Sequence, residues 1–168
     1  MQDWTHLLTD LVDRRGGALV RYAALLCGDA TEAEDLVQES LVRCFASSRG
    51  RHLEIDEVES YVRRAILNLY LDSYRRRQRW QAVRHLLRPG ETTHEPDVDI
   101  RADLDAALQS LPPRQRACMV LRYFADLPLA TVAAELGVTV GTVKRHLHEA
   151  TARLGALIEH PQAEGERA

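Results

Sequence analysis

The sequence predicts an all-α protein of two small helical domains joined by a flexible linker, the C-terminal domain being a helix-turn-helix. Apolar residues recur at spacings of three and four, and no segment shows the alternation of a strand or an Asn-Gly hairpin turn. Pro89, Gly90 and Pro96 stand among charged residues and threonines, a composition typical of a linker. The predicted division is 1–83 for the first domain, 84–100 for the linker, 101–160 for the second domain and 161–168 for a tail.

Helix start and stop signals define the predicted elements. Gly28 is expected to end one helix, because glycine adopts the left-handed backbone of a C-cap without a Cβ clash. Thr31 is expected to cap the next helix, with Glu34 completing a capping box. In the second domain, Pro113 occupies a first-turn position, which suits proline. The predicted helices lie near residues 3–15, 17–27, 31–47, 57–82, 101–109, 113–124, 129–136 and 140–158.

The stretch from Leu129 to Leu154 predicts a helix-turn-helix whose second helix suits a DNA major groove. Gly137 is expected to end the first helix and Thr139 to cap the second. The face expected to pack inward carries Val143, Leu147, Ala150 and Leu154. The face expected to meet DNA carries Lys144, Arg145, His148 and Glu149, and the slim start of the helix carries Gly141 and Thr142. The alternative is a helical hairpin with a solvated charged face.

Residues 61–80 combine a helical packing stripe with arginines and aromatic rings. Cations along one helix attract a phosphate backbone and aromatic rings stack on unpaired bases, so the combination suits an opened DNA strand. The packing stripe comprises Val58, Val62, Ala65, Ile66, Leu69 and Ser73. The outward set comprises Arg64, Asn68, Asp72, Arg76 and Arg79, interleaved with Tyr61, Tyr70, Tyr74 and Trp80. The alternative is an ordinary amphipathic helix with core tyrosines and solvated arginines.

The net charge of −3 conceals a strong segregation along the chain. Residues 61–90 carry a net charge of +7, whereas residues 1–60 carry −6. The basic segment favours a nucleic acid, and the acidic segment favours a protein partner. Because the whole chain is mildly acidic, we expect weak affinity for DNA unless a partner holds the protein at its site.

Other function classes find little support in the residues. Seven scattered histidines show no HExxH and no paired Cys/His spacing, so no catalytic site, metal, cofactor or small-molecule substrate is predicted. The cysteines Cys27, Cys44 and Cys118 predict reduced core thiols, with a redox switch between Cys27 and Cys44 as an open alternative. The absence of a long apolar run and of signal-peptide features predicts a cytoplasmic protein without membrane insertion.

Three motifs carry a resemblance to bacterial sigma factors. Asp35-Leu36-Val37-Gln38-Glu39 resembles the segment by which these proteins bind the clamp helices of RNA polymerase. YVRRAILNLYLDSYRRR resembles the promoter-opening segment, and LQSLPPRQRACMVLRYFADLPLATVAAELGVTVGTVKRHLHEA resembles the domain that reads the −35 element. Their order and spacing over roughly residues 5–158 are similar to those of the small two-domain, extracytoplasmic-function type.

The resemblance implies roles for residues of the first domain. It implies that Asp35, Leu36, Gln38 and Glu39 contact the β′ subunit of core RNA polymerase. It implies that a loop near 46–57 accepts a flipped base of the −10 element. It implies contacts to that element from Arg49, Arg51, His52, Arg64, Asn68, Asp72, Arg75, Arg76 and Arg79.

In the second domain the resemblance implies contacts to the −35 major groove from Thr139, Gly141, Thr142, Lys144, Arg145, His148 and Glu149. Lys144 or Arg145 is expected to donate to guanine. Glu149 is a departure, since many relatives carry a basic residue there; it could accept from cytosine N4 or face away. The resemblance also implies contact with the β flap of the polymerase and an inhibitory anti-sigma factor. A free-standing helix-turn-helix regulator is the alternative function, although the N-terminal half shows no ligand-pocket or receiver pattern.

Overall fold

The computed structural model describes residues 4–47, 54–85 and 100–159, and every regular element within them is helical. The all-α expectation is therefore confirmed. The chain divides into two compact units, Met1–Glu95 and Pro96–Ala168. The first unit holds α1 (Trp4–Cys27), α2 (Ala30–Ser47) and α3 (Ile55–His85). The second holds α4 (Ile100–Ser110), α5 (Pro113–Met119), a π-helical turn (Val120–Phe124), α6 (Leu129–Leu136) and α7 (Val140–Glu159).

The predicted linker overlaps a helix at each end. Helix α3 continues to His85, and α4 begins at Ile100. The rest of that segment, 86–99, lies outside the described residues, as does the predicted tail, so both stay predictions.

Helix α1 is continuous, whereas the sequence predicted two helices, 3–15 and 17–27, divided at Gly16. Glycine costs a helix interior roughly 1 kcal/mol relative to alanine. Leu11 and Leu19 flank the glycine and are 0% and 1% exposed, because α1 packs against both α2 and α3. The prediction of a break was wrong since this burial outweighs the local preference.

The first unit is a three-helix bundle whose core includes most of the predicted α3 stripe. Val62 and Ile66 are fully buried, as expected. Leu67 is also fully buried and Tyr70 is 1% exposed, so the packing face is wider than the predicted stripe. Tyr70 was predicted among the aromatics that face DNA. That expectation was wrong, and Tyr70 is a core residue.

The turn between α1 and α2 contains the expected stop and an unexpected cap. Gly28 has φ +75°, the left-handed conformation predicted for it. The cap of α2 is Asp29, whose Oδ1 accepts a hydrogen bond from the Glu32 amide at 2.7 Å. The predicted capping box of Thr31 and Glu34 was wrong, because the helix begins one residue before Thr31.

An ion pair fastens the later turns of α3 to the start of α2. The two terminal nitrogens of Arg77 donate to the two carboxylate oxygens of Glu32, at 2.6 and 3.2 Å. Bidentate pairs of this kind fix geometry as well as supplying energy. Arg77 is therefore paired with a residue of another helix of the bundle.

In the second unit, the buried Arg116 secures the end of α4. Its guanidinium donates to the carbonyl oxygens of Leu108, Gln109 and Leu111 at 2.8, 2.7 and 2.9 Å. The last carbonyls of a helix have no partner within it, so these bonds act as a cap supplied from α5. Pro113 begins α5 as predicted.

The helix predicted over 113–124 changes character at its end. Residues 120–124 form a π-helical turn, closed by the Ala125 amide donating to the Val120 carbonyl at 3.0 Å. This wider turn contains one more residue than an α-helical turn. Val120 and Leu121 are buried in it, whereas Tyr123 and Phe124 are 66% and 39% exposed.

Helices α6 and α7 form the predicted helix-turn-helix. Gly137 ends α6 with φ +64°, and a Cβ built there would meet no atom within 4 Å. Thr139 accepts a hydrogen bond from the Thr142 amide at 3.2 Å, as expected of an N-cap. Val143 and Ala150 of α7 are fully buried. No described helix of the chain has the length and apolar character needed to cross a membrane.

Candidate protein and nucleic-acid interfaces

Helix α2 presents a polar surface that we call the α2 patch, formed by Asp35, Gln38 and Glu39. All three residues are exposed. Their helix is anchored from beneath by a stripe in which Ala33, Leu36, Val37, Ser40 and Cys44 are buried and Leu41 is half-buried. The structure therefore brings the three side chains together on one outward face.

Leu36 was predicted as a fourth contact residue, but its side chain is only 6% exposed. It belongs to the core beneath the α2 patch, and its place among the contact residues is corrected accordingly. Within the patch, Glu39 accepts a hydrogen bond from Arg43 at 2.6 Å. This exposed pair contributes little to stability, since solvent screens it.

Helix α3 and the neighbouring face of α2 border an open groove of about 460 Å³, which we call the α3 groove. It collects Arg64, Asn68 and Asp72, three of the predicted −10 residues, on successive turns. The sequence missed Arg43, because this residue comes from α2 and joins the groove only through helix packing. The groove is lined by Arg43, Cys44, Tyr61, Arg64, Ala65, Asn68, Leu69 and Asp72.

Beyond the groove, the later turns of α3 expose a cationic surface. Arg75, Arg76 and Arg79 are exposed, as predicted, and Trp80 is 72% exposed beside them. Asp72 lies 3.5 Å from Arg75, which links this surface to the groove. The predicted contacts Arg49, Arg51 and His52 lie outside the described residues.

Helix α7 presents the third surface, which we call the α7 face. Lys144, Arg145 and His148 are exposed on it, opposite the buried stripe. Gly141 is exposed at the helix start and Thr142 is half-buried. Thr139 is exposed, but its hydroxyl oxygen already serves as the helix cap.

Glu149 lies at the edge of the α7 face that adjoins α5. Its Oε2 accepts a hydrogen bond from Gln115 Nε2 at 2.7 Å. Its Oε1 lies 4.0 Å from Arg145 Nε. Both carboxylate oxygens are therefore directed to groups of the protein itself, which the sequence could not indicate because Gln115 is 34 positions away.

Two family models match this chain, one within each of its two units. A family model described as sigma-70 region 2 matches residues 11–80, and one described as sigma-70, region 4 matches residues 101–154. The RNA polymerase sigma-E factor of Streptomyces coelicolor is 35% identical over 150 residues, covering 86% of this chain and 82% of that protein. The chain belongs to the extracytoplasmic-function sigma factors of the sigma-70 family.

A second relative and two solved structures agree with this membership. The extracytoplasmic-function sigma factor SigE of Mycolicibacterium smegmatis is 34% identical over 92% of this chain, which spans 61% of that relative. The sigma factor RpoE of Bartonella quintana, solved with the anti-sigma factor NepR, has a TM-score of 0.68 and 23% identity over 96% of this chain and 100% of that one. CnrH, solved with the cytosolic domain of CnrY, has a TM-score of 0.63 and 24% identity over 92% and 89% of the two chains. At these identities, the structures support the fold.

Sigma factors of this family direct promoter-specific transcription initiation. The described residues contain no group of three or more side chains able to hold a metal ion. Burial, followed by the positive charge of Arg145, lowers the pKa of His146, which is half-buried while His148 is exposed. The two histidines thus face different surroundings.

The three cysteines of the sigma factor are free thiols. Burial raises the pKa of Cys44 and of Cys118 to about 11, and it also raises the pKa of Cys27. Because the thiolate is the reactive form, the raised pKa values lower the reactivity of these thiols near neutral pH. This argues against a redox switch between Cys27 and Cys44.

Proposed function

We propose that this sigma factor binds core RNA polymerase through the α2 patch, takes up the opened −10 strand in the α3 groove, and docks the α7 face in the −35 major groove. One observation carries the proposal: each matched sigma-70 region exposes, on a helix anchored by a buried stripe, the polar surface that its assigned partner requires. The proposed role requires no cofactor or small-molecule substrate.

The proposed partner of the α2 patch is the β′ clamp helices. Asp35 and Glu39 offer carboxylates and Gln38 offers an amide on one exposed face. Such a face complements arginines on a partner helix, and charge complementarity sets both the orientation and the rate of encounter. The β flap and an anti-sigma factor are further proposed partners of the chain. We also propose that the protein is cytoplasmic, because RNA polymerase acts in the cytoplasm.

Reversing the charge of the patch tests this contact. We expect Asp35→Arg to weaken binding to core polymerase about tenfold, because a rim carboxylate becomes a repelling cation. Fluorescence anisotropy of the labelled full chain, titrated with core enzyme, measures the change. Glu34→Arg is the matched control, since Glu34 is an exposed carboxylate on the same helix and outside the patch. Equal weakening by both variants, or by neither, contradicts the assignment.

The α3 groove suits a flipped base of the −10 element. Asn68 is exposed in it, between Arg64 and Asp72 on the adjoining turns. An amide donates and accepts, so it can pair with a base edge. Extruding a base costs a few kcal/mol, and stacking on a ring such as Tyr61 together with hydrogen bonds offsets that cost.

Removing the Asn68 amide should impair promoter opening. We expect Asn68→Ala to lower the rate of open-complex formation about tenfold, which corresponds to roughly one hydrogen bond to a base. Permanganate footprinting of the −10 region and abortive initiation assays measure this, alongside the affinity for core enzyme, which should not change. Ser60→Ala, at an exposed position near the start of α3, is the control. An unaltered opening rate and unaltered −10 preference would exclude the role.

The proposed contact of the second unit is the major groove of the −35 element. Lys144 and Arg145 project from the α7 face, and an arginine or lysine that meets guanine O6 and N7 is the commonest specific contact to DNA. The turn at Gly137 and the cap at Thr139 fix where this helix begins. The helix-turn-helix thereby sets which side chains reach the base edges.

Run-off transcription tests the function as a whole. Purified core RNA polymerase is supplied with a library of promoter fragments, with and without the full chain. Initiation that depends on the chain at a subset of fragments supports the proposal, and aligning those fragments gives both promoter elements. DNA binding without initiation and without co-elution from core enzyme would favour a free-standing regulator instead.

A further inference from the structure

The link between Gln115 and Glu149 connects the interior of the second unit to the α7 face. Gln115 is 5% exposed, and its Nε2 donates to Glu149 Oε2 at 2.7 Å. Because the acceptor is a carboxylate and the donor is shielded from water, this is a stronger hydrogen bond than one between neutral exposed groups. The Glu149 side chain is consequently held at its α5 side.

A buried glutamine at this position does not serve packing well. Its Oε1 is buried without a hydrogen-bond partner in the described part of the chain, and an unsatisfied buried acceptor costs free energy. An apolar side chain of similar size would avoid that cost. The benefit of the glutamine therefore lies in the hydrogen bond from its Nε2 to Glu149.

Glu149 in turn faces Arg145, one helical turn earlier. Glu149 Oε1 lies 4.0 Å from Arg145 Nε. This exposed pair is weak in the free protein, but attraction at the Nε side favours arginine orientations near Glu149, and the terminal nitrogens form the fork that can meet guanine O6 and N7. Exposed arginines otherwise lose considerable rotamer freedom on binding, so a restrained side chain binds at a smaller entropic cost.

We propose that Gln115 and Glu149 are positioning residues for −35 recognition: Gln115 holds Glu149, and Glu149 holds Arg145 in the orientation that reads a guanine. The inference rests on the proposed function, in which the α7 face enters the −35 major groove. It answers the question that the sequence left open about Glu149, whose carboxylate acts on Arg145 and does not itself read a cytosine.

The test is the base preference at each −35 position, measured by sequencing the transcripts that the full chain and core enzyme produce from a randomised −35 library. We expect Glu149→Ala to reduce the preference for guanine at one position roughly fivefold, since a positioning residue supplies only part of an arginine contact. Gln115→Leu should reduce the same preference at the same position. Glu149→Gln, which still accepts from Gln115, should retain more of it than Glu149→Ala.

Two double variants separate positioning from a general structural effect. In an Arg145→Ala background, adding Glu149→Ala should change nothing further, because the side chain through which it acts is gone. In a Lys144→Ala background, Glu149→Ala should keep its full effect. Asp103→Ala, which removes an exposed carboxylate from α4, controls for net charge and should leave the preference unchanged. Thermal unfolding of each variant identifies any loss of fold.

Several outcomes would overturn the inference. The first is an unchanged guanine preference in a folded Glu149→Ala variant. The second is a loss of cytosine preference caused by Glu149→Ala that is also seen in the Arg145→Ala background. The third is an effect of Glu149→Ala on guanine preference that is equal with and without Arg145. Failure of the proposed function is distinguishable, because the wild-type chain would then produce no dependent transcripts from any member of the library.

Discussion

Replacing Arg116 with methionine is expected to lower the free energy of unfolding of the second unit by roughly 3 kcal/mol, the cost of losing three hydrogen bonds from a buried charged group. The guanidinium donates to the carbonyls of Leu108 and Gln109, in the last turn of α4, and of Leu111, the residue after that helix. Methionine has a similar length and no donor, so the carbonyls would lose their cap while the volume is largely kept.

Hydrogen exchange measured by mass spectrometry on the full chain resolves peptides from α4 to α7 and gives the loss for that unit. Arg114→Met is the matched control, because Arg114 is exposed two positions earlier in the same helix. It should change the free energy of unfolding by less than about 0.5 kcal/mol. Similar protection in wild type and Arg116→Met would show that the three bonds contribute little to stability.

Tyr70→Ala is expected to lower the free energy of unfolding of the first unit by roughly 3–4 kcal/mol, because removal of a buried aromatic side chain leaves a large cavity. Tyr70 is 1% exposed, among the largest fully buried side chains of the bundle. Trp80→Ala should change stability by less than about 0.5 kcal/mol, since Trp80 is 72% exposed.

The two aromatic variants separate a packing role from a DNA role. Denaturant unfolding of the full chain, followed by circular dichroism and by exchange of α1–α3 peptides, measures the stability of each. A stable Tyr70→Ala protein that fails to open promoters would restore the interpretation of Tyr70 as a stacking residue. A strongly destabilised Trp80→Ala protein would mean that the exposed ring supports the bundle.

The helix-turn-helix was predictable because its signals are local. Helix α6 was predicted over 129–136 and is observed over those residues, and α7 was predicted over 140–158 and runs to Glu159. Gly137 and Thr139 each act through hydrogen bonds within a few positions of themselves. Such local signals act independently of the tertiary contacts of the fold.

Features that depend on tertiary contacts were not predictable in this way. Two helices were predicted, near 3–15 and 17–27, and the packing of α1 against two neighbouring helices explains why it is continuous. The groove residue Arg43, which was not predicted, comes from α2, whereas Arg64 and Asn68 come from α3. The residues that anchor surfaces, Arg116 and Gln115, are charged or polar groups whose burial contradicts their usual preference for solvent.

The predicted surfaces themselves follow a simpler rule. Helical periodicity assigns each residue to a face, so the exposure of Asp35, Asn68 and Lys144 was predictable from spacing alone. Periodicity gives no width to the buried face, which is why Tyr70 was placed among the outward aromatics, a role that its burial excludes. It also gives no information about the partner that an exposed side chain finds, as with Glu149 and Gln115.

At Gly137 the constraint on the residue is its backbone conformation and not the size of its side chain. An added methyl group would meet nothing within 4 Å, yet φ is +64°, which an L-residue adopts only at a cost of roughly 1–2 kcal/mol. The constraint is therefore stereochemical: a mirror-image D-alanine would fit where L-alanine is strained. Among the natural residues, asparagine and aspartate tolerate this backbone best, so the tolerance of the site is ordered by conformation instead of size.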